Sequence, residues 1–250
     1  MASPSQTIVL ITGANQGLGY EAVKKLAAEQ ADYVILLGSR NPERGHEAAG
    51  SITSLAKGTS VVPLVIDIDS DESITRAAQR VDETYGRLDV LFNNAGISTA
   101  GPGAGDSLRE QMRSVIETNL ISTAVTTEAF IPLLQKSRAP RLLFMSSGIG
   151  SIGNMLDPSF PMYGVDSKPY STSKASLNML AALYSVQYGK QGFKVNVICP
   201  GYRATRMNGY ADTAGKPEEG IIAACDLVVD AEGKSPNGAF ISQDNGFWPW

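Results

Sequence analysis

The sequence predicts an α/β fold, a single domain over residues 1–250 in which a doubly wound parallel sheet carries helices on both faces. Two observations predict it. Short apolar runs recur along the chain and are nearly continuous in Val, Ile and Leu, as in strands buried on both faces of a parallel sheet. Helical stretches separate these runs, and such alternation is typical of a parallel sheet.

The apolar runs predict about seven strands, and the stretches between them predict the helices. The expected strands are 7–12, 33–38, 61–66, 88–93, 141–146, 194–199 and 238–242. The expected helices are 19–30, 42–56, 70–86, 107–135, 173–190 and 217–229. Two loop-rich regions remain, 98–107 and 148–168. The chain contains no internal repeat, low-complexity segment or linker, which agrees with one domain.

Composition narrows the classes of function. The net charge is −4 and the sequence has no concentrated run of Lys and Arg, which argues against nucleic acid or an anionic membrane as a partner. No apolar run is long enough for a signal peptide or a membrane span, so we expect a soluble, cytoplasmic protein. Cys199 and Cys225 lie in apolar runs and are expected to be buried, reduced thiols. One histidine, His46, leaves a zinc site without a ligand set.

The first expected strand runs directly into TGANQGLG, in which Gly13, Gly17 and Gly19 follow a G-x-x-x-G-x-G spacing. Glycines let the backbone turn tightly and approach a pyrophosphate, and the next helix offers free N–H groups and its positive dipole end. The position between a strand and a helix supports a Rossmann-type dinucleotide site. The alternative is an ordinary glycine-rich turn.

The second strand ends in Gly38, Ser39 and Arg40, without a carboxylate. In dinucleotide folds an acid at this position takes the ribose hydroxyls, whereas an arginine accommodates a 2′-phosphate. Arg40 can pair with such a phosphate in bidentate fashion. The sequence therefore favours NADP (NADPH) over NAD, and the alternative is a solvated surface arginine.

The ends of the third and fourth strands carry further polar residues. Asp67 can accept a hydrogen bond from an adenine amino group, unless it caps the following helix, a role that Asp69 or Ser70 could fill instead. The fourth strand ends in NNAG, residues 93–96. Asparagine side chains there can tie strand ends together, and Gly96 lets a cofactor pass close to the backbone.

Tyr170 and Lys174 stand four positions apart in YSTSK and would share one face of a helix. A free tyrosine has a pKa near 10 and is a poor base at neutral pH, but a nearby ammonium group stabilises its phenolate. Taken alone the pattern is weak, because both residues are common. The alternative is a solvated start of a helix.

Six short motifs occur in the order found in the short-chain dehydrogenase/reductase family, which the chain resembles over essentially its whole length. They are TGANQGLG at 12–19, NNAG at 93–96, Asn119 in ETNL, the pair SS at 146–147, YSTSK at 170–174 and PGYRAT at 200–205. The segments LDVLFNNAGI and VIDID are most similar to those of NADPH-dependent carbonyl reductases. The resemblance implies reduction of a carbonyl compound by NADPH.

The resemblance also implies roles for individual residues. Asn119, Ser147, Tyr170 and Lys174 fall on the family's four catalytic positions. Tyr170 would donate a proton to the carbonyl oxygen, Ser147 would hold that oxygen, and Lys174 would reach the ribose hydroxyls. Asn119 would lie in the long helix after the fourth strand and anchor a water. The expected cofactor-binding residues are Gly13, Asn15, Gln16, Gly17, Leu18, Gly19, Arg40, Asp67, Ile68, Asn94, Ala95, Gly96, Tyr170, Lys174, Pro200, Gly201, Tyr202 and Thr205.

One spacing departs from the family pattern. Ser147 and Tyr170 stand 23 positions apart, more than in compact members. We expect 148–168 and 201–216 to be substrate-side loops around a mostly apolar substrate. Their candidate residues, with the catalytic serine, are Ser147, Met155, Phe160, Met162, Tyr163, Tyr202, Met207 and Tyr210. Tyr163 is a rival to Tyr170, but a serine stands four residues after it. The C-terminal DNGFWPW could cover a sheet edge, a partner surface or the pocket.

The sequence thus predicts an NADPH-dependent oxidoreductase that reduces a ketone, aldehyde or quinone of a mostly apolar small molecule. An NAD-dependent alcohol dehydrogenase on the same site is one alternative, against which Arg40 argues. A dinucleotide-binding regulator without turnover is another, against which Ser147, Tyr170 and Lys174 argue. Homodimer, homotetramer and monomer all remain open. The helix from 170 onward is a dimer surface in the resembled family.

Overall fold

Eight strands form one sheet in the part of the chain that the computed structural model describes, residues 6–98, 107–230 and 232–250. Their order in the sheet is β3-β2-β1-β4-β5-β6-β7-β8, and every pairing is parallel except that of β7 with β8. The strands are β1 (Thr7–Ile11), β2 (Tyr33–Ser39), β3 (Ser60–Val65), β4 (Val90–Asn93), β5 (Arg141–Met145), β6 (Lys194–Cys199), β7 (Ala239–Ser242) and β8 (Gly246–Phe247). The predicted doubly wound α/β fold is confirmed. The two-residue strand β8 is additional to the expected seven.

Eight α-helices connect the strands within the described residues. They are α1 (Gly17–Glu29), α2 (Pro42–Ser51), α3 (Asp71–Tyr85), α4 (Leu108–Ile116), α5 (Thr123–Leu134), α6 (Ile152–Leu156), α7 (Lys168–Tyr188) and α8 (Ile222–Val229). The predicted helix 217–229 divides into a 3₁₀ turn, Pro217–Ile221, and α8. Helix α7 begins before the expected residue 173, because Pro169 suits the first turn of a helix. Tyr170 therefore lies inside the helix.

The expected helix over 107–135 is observed as a continuous helical run over 108–134 that contains a π-helical turn. A π-helical turn, Glu117–Ser122, separates α4 from α5. The expected loop 148–168 contains a 3₁₀ turn, Gly148–Gly150, and the short helix α6. Most of the other expected loop, 98–107, lies outside the described residues.

Apolar side chains fill both faces of the sheet, which explains why the strands read as continuous apolar runs. In β1, Ile8 and Leu10 face the cluster that contains Phe130 of α5 and Leu177 of α7. Their neighbours Val9 and Ile11 face the cluster formed with α1, α2 and α8. Helices thus cover both faces, as expected.

The strand order places the candidate site at one edge of the sheet. After β1, β2 and β3 the chain returns to pair β4 on the other side of β1, and β5 and β6 follow outward. Such a reversal opens a crevice at the carboxyl ends of the strands, where ligands bind in open parallel sheets. The segments that follow β1, β2, β4, β5 and β6 all begin at this edge. No helix among the described residues has the length and apolarity to cross a membrane.

Candidate active site

The loop between β1 and α1 requires glycine at three positions. Gly13 and Gly17 have φ of +62° and +58°, the left-handed region that favours glycine. Gly19 is helical, but a Cβ there would lie 2.5 Å from Nδ2 of Asn94 and 2.9 Å from Cα of Ala14. The loop therefore packs tightly against the end of β4.

The N-terminus of α1 lacks the side-chain cap that neighbouring helices have. The side chain of Gln16, the N-cap residue, makes no capping hydrogen bond, and the first turn contains no acidic residue. By contrast, Asn41, Ser70 and Ser107 cap α2, α3 and α4. Uncapped N–H groups and the positive end of the helix dipole attract an anion, so this end of α1 fits a pyrophosphate.

Hydrogen bonds join the end of β4 to the start of the glycine loop. The Thr12 hydroxyl accepts from the backbone N–H groups of Asn94 and Ala95, both at 3.1 Å. The side-chain Nδ2 of Asn94 donates to the carbonyl oxygens of Thr12 (2.8 Å) and Gly13 (3.3 Å). Asn94 thus ties two strand ends together, and Thr12 is a partner that the sequence motif did not suggest.

Tyr170, Lys174 and Ser147 meet at the carboxyl end of β5. Nζ of Lys174 lies 5.7 Å from the centre of the Tyr170 ring and donates to the carbonyl oxygen of Met145 at 2.8 Å. The Ser147 hydroxyl lies beside the Tyr170 phenol and offsets part of the rise in the pKa of that phenol. The structure therefore places three of the four expected catalytic residues beside one another.

Burial governs the ionisation of this group. It raises the pKa of Tyr170 well above its ordinary value, an effect that the nearby Cys199 thiol increases and the bond to Ser147 partly offsets. Burial also lowers the pKa of Lys174 from 10.5 to about 8. The sequence suggested that Lys174 would lower the pKa of Tyr170. In the structure the net direction is the opposite, because desolvation disfavours the phenolate more strongly.

Asn119 lies in the long helical run after β4, as expected, within its π-helical turn, and is fully buried. Its Oδ1 accepts from the N–H of Ile97 at 2.8 Å, and its Nδ2 donates to the carbonyl of Ile97 (2.9 Å) and to Oγ of Ser173 (3.0 Å). A Cβ on Gly96 would lie 3.0 Å from Asn119 Oδ1 and 3.4 Å from Lys174 Nζ. Asn119 thus fixes the strand-four motif beside α7. Such π-turns are frequent at functional sites.

Cys199 connects two of the expected site segments. Its Sγ accepts from the N–H of Gly148 at 3.2 Å and from the N–H of Gly201 at 3.4 Å. The thiol is buried, as expected, and burial raises its pKa to about 11. The sequence indicated only a core thiol here. Its contact with the residue after Ser147 depends on the pairing of β5 with β6.

The segment after β6 crosses the glycine loop. Gly201 has φ of +77°, and Arg203 holds the turn by donating to the carbonyl of Pro200 at 2.7 Å and pairing with Asp244. A Cβ on Gly17 would lie 3.8 Å from Cγ2 of Thr205. Pro200, Gly201 and Thr205 therefore lie at the expected edge, while Tyr202 is exposed.

The ends of β2 and β3 are open to solvent. Arg40 is exposed and follows the buried Ser39. Ser70 caps α3, so the expectation that Asp67 need not be the cap holds. Oδ1 of Asp67 accepts from the N–H of Asp69 at 3.2 Å, and Ile68 is buried.

A cleft of about 390 Å³ lies beside the glycine loop. Asn15 and Gln16, two of the residues expected to bind the cofactor, line it. Two cations, Arg44 and Arg206, line it as well, and neither was singled out from the sequence. The remaining lining residues are Tyr20, Glu47, Ala48 and Ser51. Arg44 lies in the first turn of α2, four positions after Arg40 in the sequence.

The expected substrate-side residues occupy different environments. Phe160 is partly buried and approaches Gly148, the residue after Ser147. Met155 and Met162 are also partly buried. Tyr163, Tyr202, Met207 and Tyr210 are exposed. The C-terminal tail pairs β8 with β7, so it covers an edge of the sheet, one of the three places considered for it.

Comparison with known proteins assigns the chain to a family. Residues 7–215 match the family model described as short chain dehydrogenase. The chain belongs to the short-chain dehydrogenase family. Short-chain dehydrogenase anuI of Penicillium roqueforti is 36% identical, with 98% of this chain and 97% of that protein covered. Short-chain dehydrogenase/reductase eupG of Phoma sp is 37% identical, with 90% and 87% covered.

A solved structure supports the fold of this dehydrogenase. The NADPH-bound carbonyl reductase from chicken fatty liver superposes with a TM-score of 0.80 at 28% identity, covering 98% of this chain and 99% of that one. The resemblance noted in the sequence is thus confirmed. The protein is an oxidoreductase of a family that uses a nicotinamide dinucleotide.

Proposed function

We propose that this dehydrogenase is an NADPH-dependent reductase of a ketone, aldehyde or quinone carried by a mostly apolar small molecule, with Tyr170 as the proton donor. The observation that carries the proposal is the position of Tyr170, which lies close to both Ser147 and the ammonium group of Lys174. Proton donors must lie within hydrogen-bond reach of the oxygen that they protonate, and a hydroxyl pair can bind one carbonyl oxygen jointly.

Ionisation of the site favours the reductive direction. Bound NADPH would supply the hydride to the carbonyl carbon. Burial keeps Tyr170 protonated at neutral pH, so its phenol is available as an acid. Lys174, with a pKa of about 8, is mostly charged at neutral pH and would stabilise the phenolate left after proton transfer. Ser147 would hold the carbonyl oxygen beside the phenol.

Asn119 would hold the catalytic residues in position through its hydrogen bonds to the neighbouring segments. It holds the backbone of Ile97 and the hydroxyl of Ser173, one residue before Lys174. These bonds fix the distance between the strand-four motif and α7. We therefore assign Asn119 a positioning role for Lys174 within the proposed reaction.

The charges near the glycine loop support NADP as the cofactor. Arg40 follows β2 without a neighbouring acid, and Arg44 and Arg206 line the cleft beside Asn15. A 2′-phosphate carries negative charge that arginine can pair with in bidentate fashion. The likeness to an NADPH-bound carbonyl reductase supports the same choice.

Cofactor titration tests this choice. NADPH should bind more tightly than NADH to the unmutated protein, and Arg40→Asp should reverse the order because it removes a cation and supplies a ribose acceptor. Arg80→Asp is the matched control, since it makes the same charge change on an exposed site in the later part of α3. Tighter NADH binding by the unmutated protein would refute the assignment.

A turnover screen tests the reaction. NADPH consumption is followed with a panel of ketones, aldehydes and quinones of graded size, and alcohols are offered with NAD and NADP in parallel. Reduction with NADPH supports the proposal. Faster oxidation of alcohols with NAD favours the NAD-dependent dehydrogenase. Tight cofactor binding without any turnover favours a regulator. The loops 148–168 and 201–216 are proposed to set which substrate is preferred.

A further inference from the structure

The C-terminal tail, residues 246–250, reaches from the sheet edge to the segment after Ser147. Strand β8 pairs with β7, and the N–H of Trp248 donates to the carbonyl of Phe240 at 2.9 Å. The carbonyl of Pro249 then accepts from Oγ of Ser151 at 2.7 Å, and that of Trp250 accepts from the N–H of Gly153 at 3.2 Å. The tail is therefore bonded both to the sheet and to residues 151–153.

The ring of Trp248 fills the space that glycine leaves at position 148. A Cβ on Gly148 would overlap Cζ3 of Trp248 and lie 2.6 Å from its Cη2. Edge-to-face contacts hold the indole, with ring centres 5.8 Å from Phe160 and 5.8 Å from Phe240. Aromatic pairs in this arrangement contribute about 0.5–1.5 kcal/mol each beyond the area that they bury.

Gly148 is thus fixed from two directions. Its N–H donates to Sγ of Cys199, and its Cα side meets the indole of Trp248. Ser147 precedes it in the chain, so the position of the Ser147 hydroxyl depends on this peptide. Phe160, an expected wall of the substrate site, rests against the same indole.

The tail lies far from the dinucleotide loop in the sheet order. Between β1, which carries the glycine loop, and β8 stand four strands, β4, β5, β6 and β7. A change at Trp248 should therefore act mainly on the substrate side and change cofactor binding little, since Gly148 reaches the cofactor segment only indirectly, through Cys199 and Gly201.

We propose that Trp248 is a positioning residue of the substrate site, which holds the Ser147–Gly148 peptide and the Phe160 ring in the geometry that carbonyl reduction requires. This proposal rests on the proposed function. It assigns the tail a role in catalytic geometry and substrate choice, beyond covering the sheet edge.

The test compares Trp248→Ala with Phe247→Ala, a control in the same tail whose ring is 71% exposed. For Trp248→Ala we expect kcat/KM to fall by roughly 10- to 100-fold, because small displacements of a positioning group have effects of this order. The preference between small and large carbonyl compounds should weaken. The NADPH dissociation constant should stay within about twofold. Trp248→Phe keeps a ring in place and should recover most of the activity.

The outcomes separate this proposal from the proposed function. An unmutated protein that reduces no carbonyl compound overturns the proposed function. An active unmutated protein with Trp248→Ala equal to Phe247→Ala in kcat/KM and selectivity overturns the role of Trp248 alone, whatever the change in melting temperature. If Trp248→Ala does not fold, Trp248→Leu, which fills part of the space but has no ring, replaces it in the same comparison with Phe247→Ala.

Tryptophan fluorescence gives a second readout that needs no substitution at Trp248. The chain has two tryptophans, so Trp250→Phe leaves Trp248 as the sole emitter. In that variant, saturated with NADP⁺, a carbonyl compound that the enzyme reduces should change the emission of Trp248. Unchanged emission at saturating substrate would contradict contact between the tail and the substrate site.

Discussion

Lys174 carries a buried charge, and replacing it with methionine tests how that burial affects stability. The side chain is 3% exposed, and its ammonium group donates to the carbonyl of Met145. Burial lowers its pKa from 10.5 to about 8. Methionine has similar length, no charge and little cost in a packed interior. The variant should lose reductase activity, because the proposed partner of the Tyr170 phenolate is gone.

The size of the effect follows from the pKa shift. At about 1.4 kcal/mol per pKa unit, burial disfavours the charged form of Lys174 by about 3 kcal/mol. Methionine removes this cost but leaves the carbonyl of Met145 without its donor, which costs about 1–3 kcal/mol. At pH 7 the two changes largely cancel. The pH dependence of stability separates the cost of burying the charge from the cost of the unpaired carbonyl.

The sign of that dependence is fixed by proton binding. Between pH 8 and 10.5 the folded protein has lost the Lys174 proton while the unfolded chain still holds it. Stability rises with pH wherever the unfolded state binds more protons. The unfolding free energy of the unmutated protein, minus that of Lys174→Met, should therefore rise by about 3 kcal/mol across this window.

Urea unfolding of both cofactor-free proteins, at several pH values from neutral to 10.5, measures this difference. Other titrating groups, including Tyr170, are present in both proteins and cancel in the subtraction. A difference that stays flat would refute the burial of a charged Lys174. A difference that falls with pH would mean that its pKa is raised, as for a lysine with a carboxylate partner.

Three further predictions concern the same site. Gly19→Ala should weaken NADPH binding by roughly tenfold or more and lower stability by about 1–3 kcal/mol through overpacking. Gly50→Ala is the control and should leave binding unchanged, because its added Cβ meets nothing within 4 Å. Cofactor titration and thermal unfolding measure the two effects. Asn119→Ala should lower the free energy of unfolding by about 1–3 kcal/mol, because buried backbone groups lose their partners. It should also slow single-turnover reduction more than it weakens NADPH binding. Equal effects on rate and binding would contradict its positioning role. The reduction rate with saturating NADPH should fall as pH rises through about 8, where Lys174 loses its proton, and not only at the higher pH at which Tyr170 ionises. A rate that stays level to pH 10 would contradict this.

Local sequence patterns were sufficient for most of the fold. Strands such as β2 are long apolar runs bounded by polar residues, and burial on both faces leaves a strong signal. Strand β8 has two residues, too few for any pattern, and forms because β7 offers it an unpaired edge. The π-helical turn was also missed. Within this turn Asn119 bonds to Ile97 and Ser173, and these are contacts between distant parts of the chain that no local pattern indicates.

Some features of the candidate site could likewise be predicted from the sequence, and others depend on contacts made in the folded protein. The glycine loop and the pair Tyr170 and Lys174 could be found from spacing, because glycine conformation and helical periodicity act locally. The ionisation of Tyr170 could not, because its pKa depends on burial in the folded protein. The contact of Trp248 with Gly148 joins residues 100 positions apart. Nothing in DNGFWPW alone could indicate it.

The most direct test of the proposed mechanism is single-turnover reduction by the preformed NADPH complex of Tyr170→Phe. Tyr163→Phe is the matched control, since it removes the same hydroxyl from a ring that is 53% exposed. For Tyr170→Phe we predict a rate lower by roughly 10²-fold or more, the scale expected for loss of a general acid, with the NADPH dissociation constant unchanged. For Tyr163→Phe we predict the rate of the unmutated protein. A benign Tyr170→Phe together with a damaging Tyr163→Phe would contradict the assignment of the proton donor.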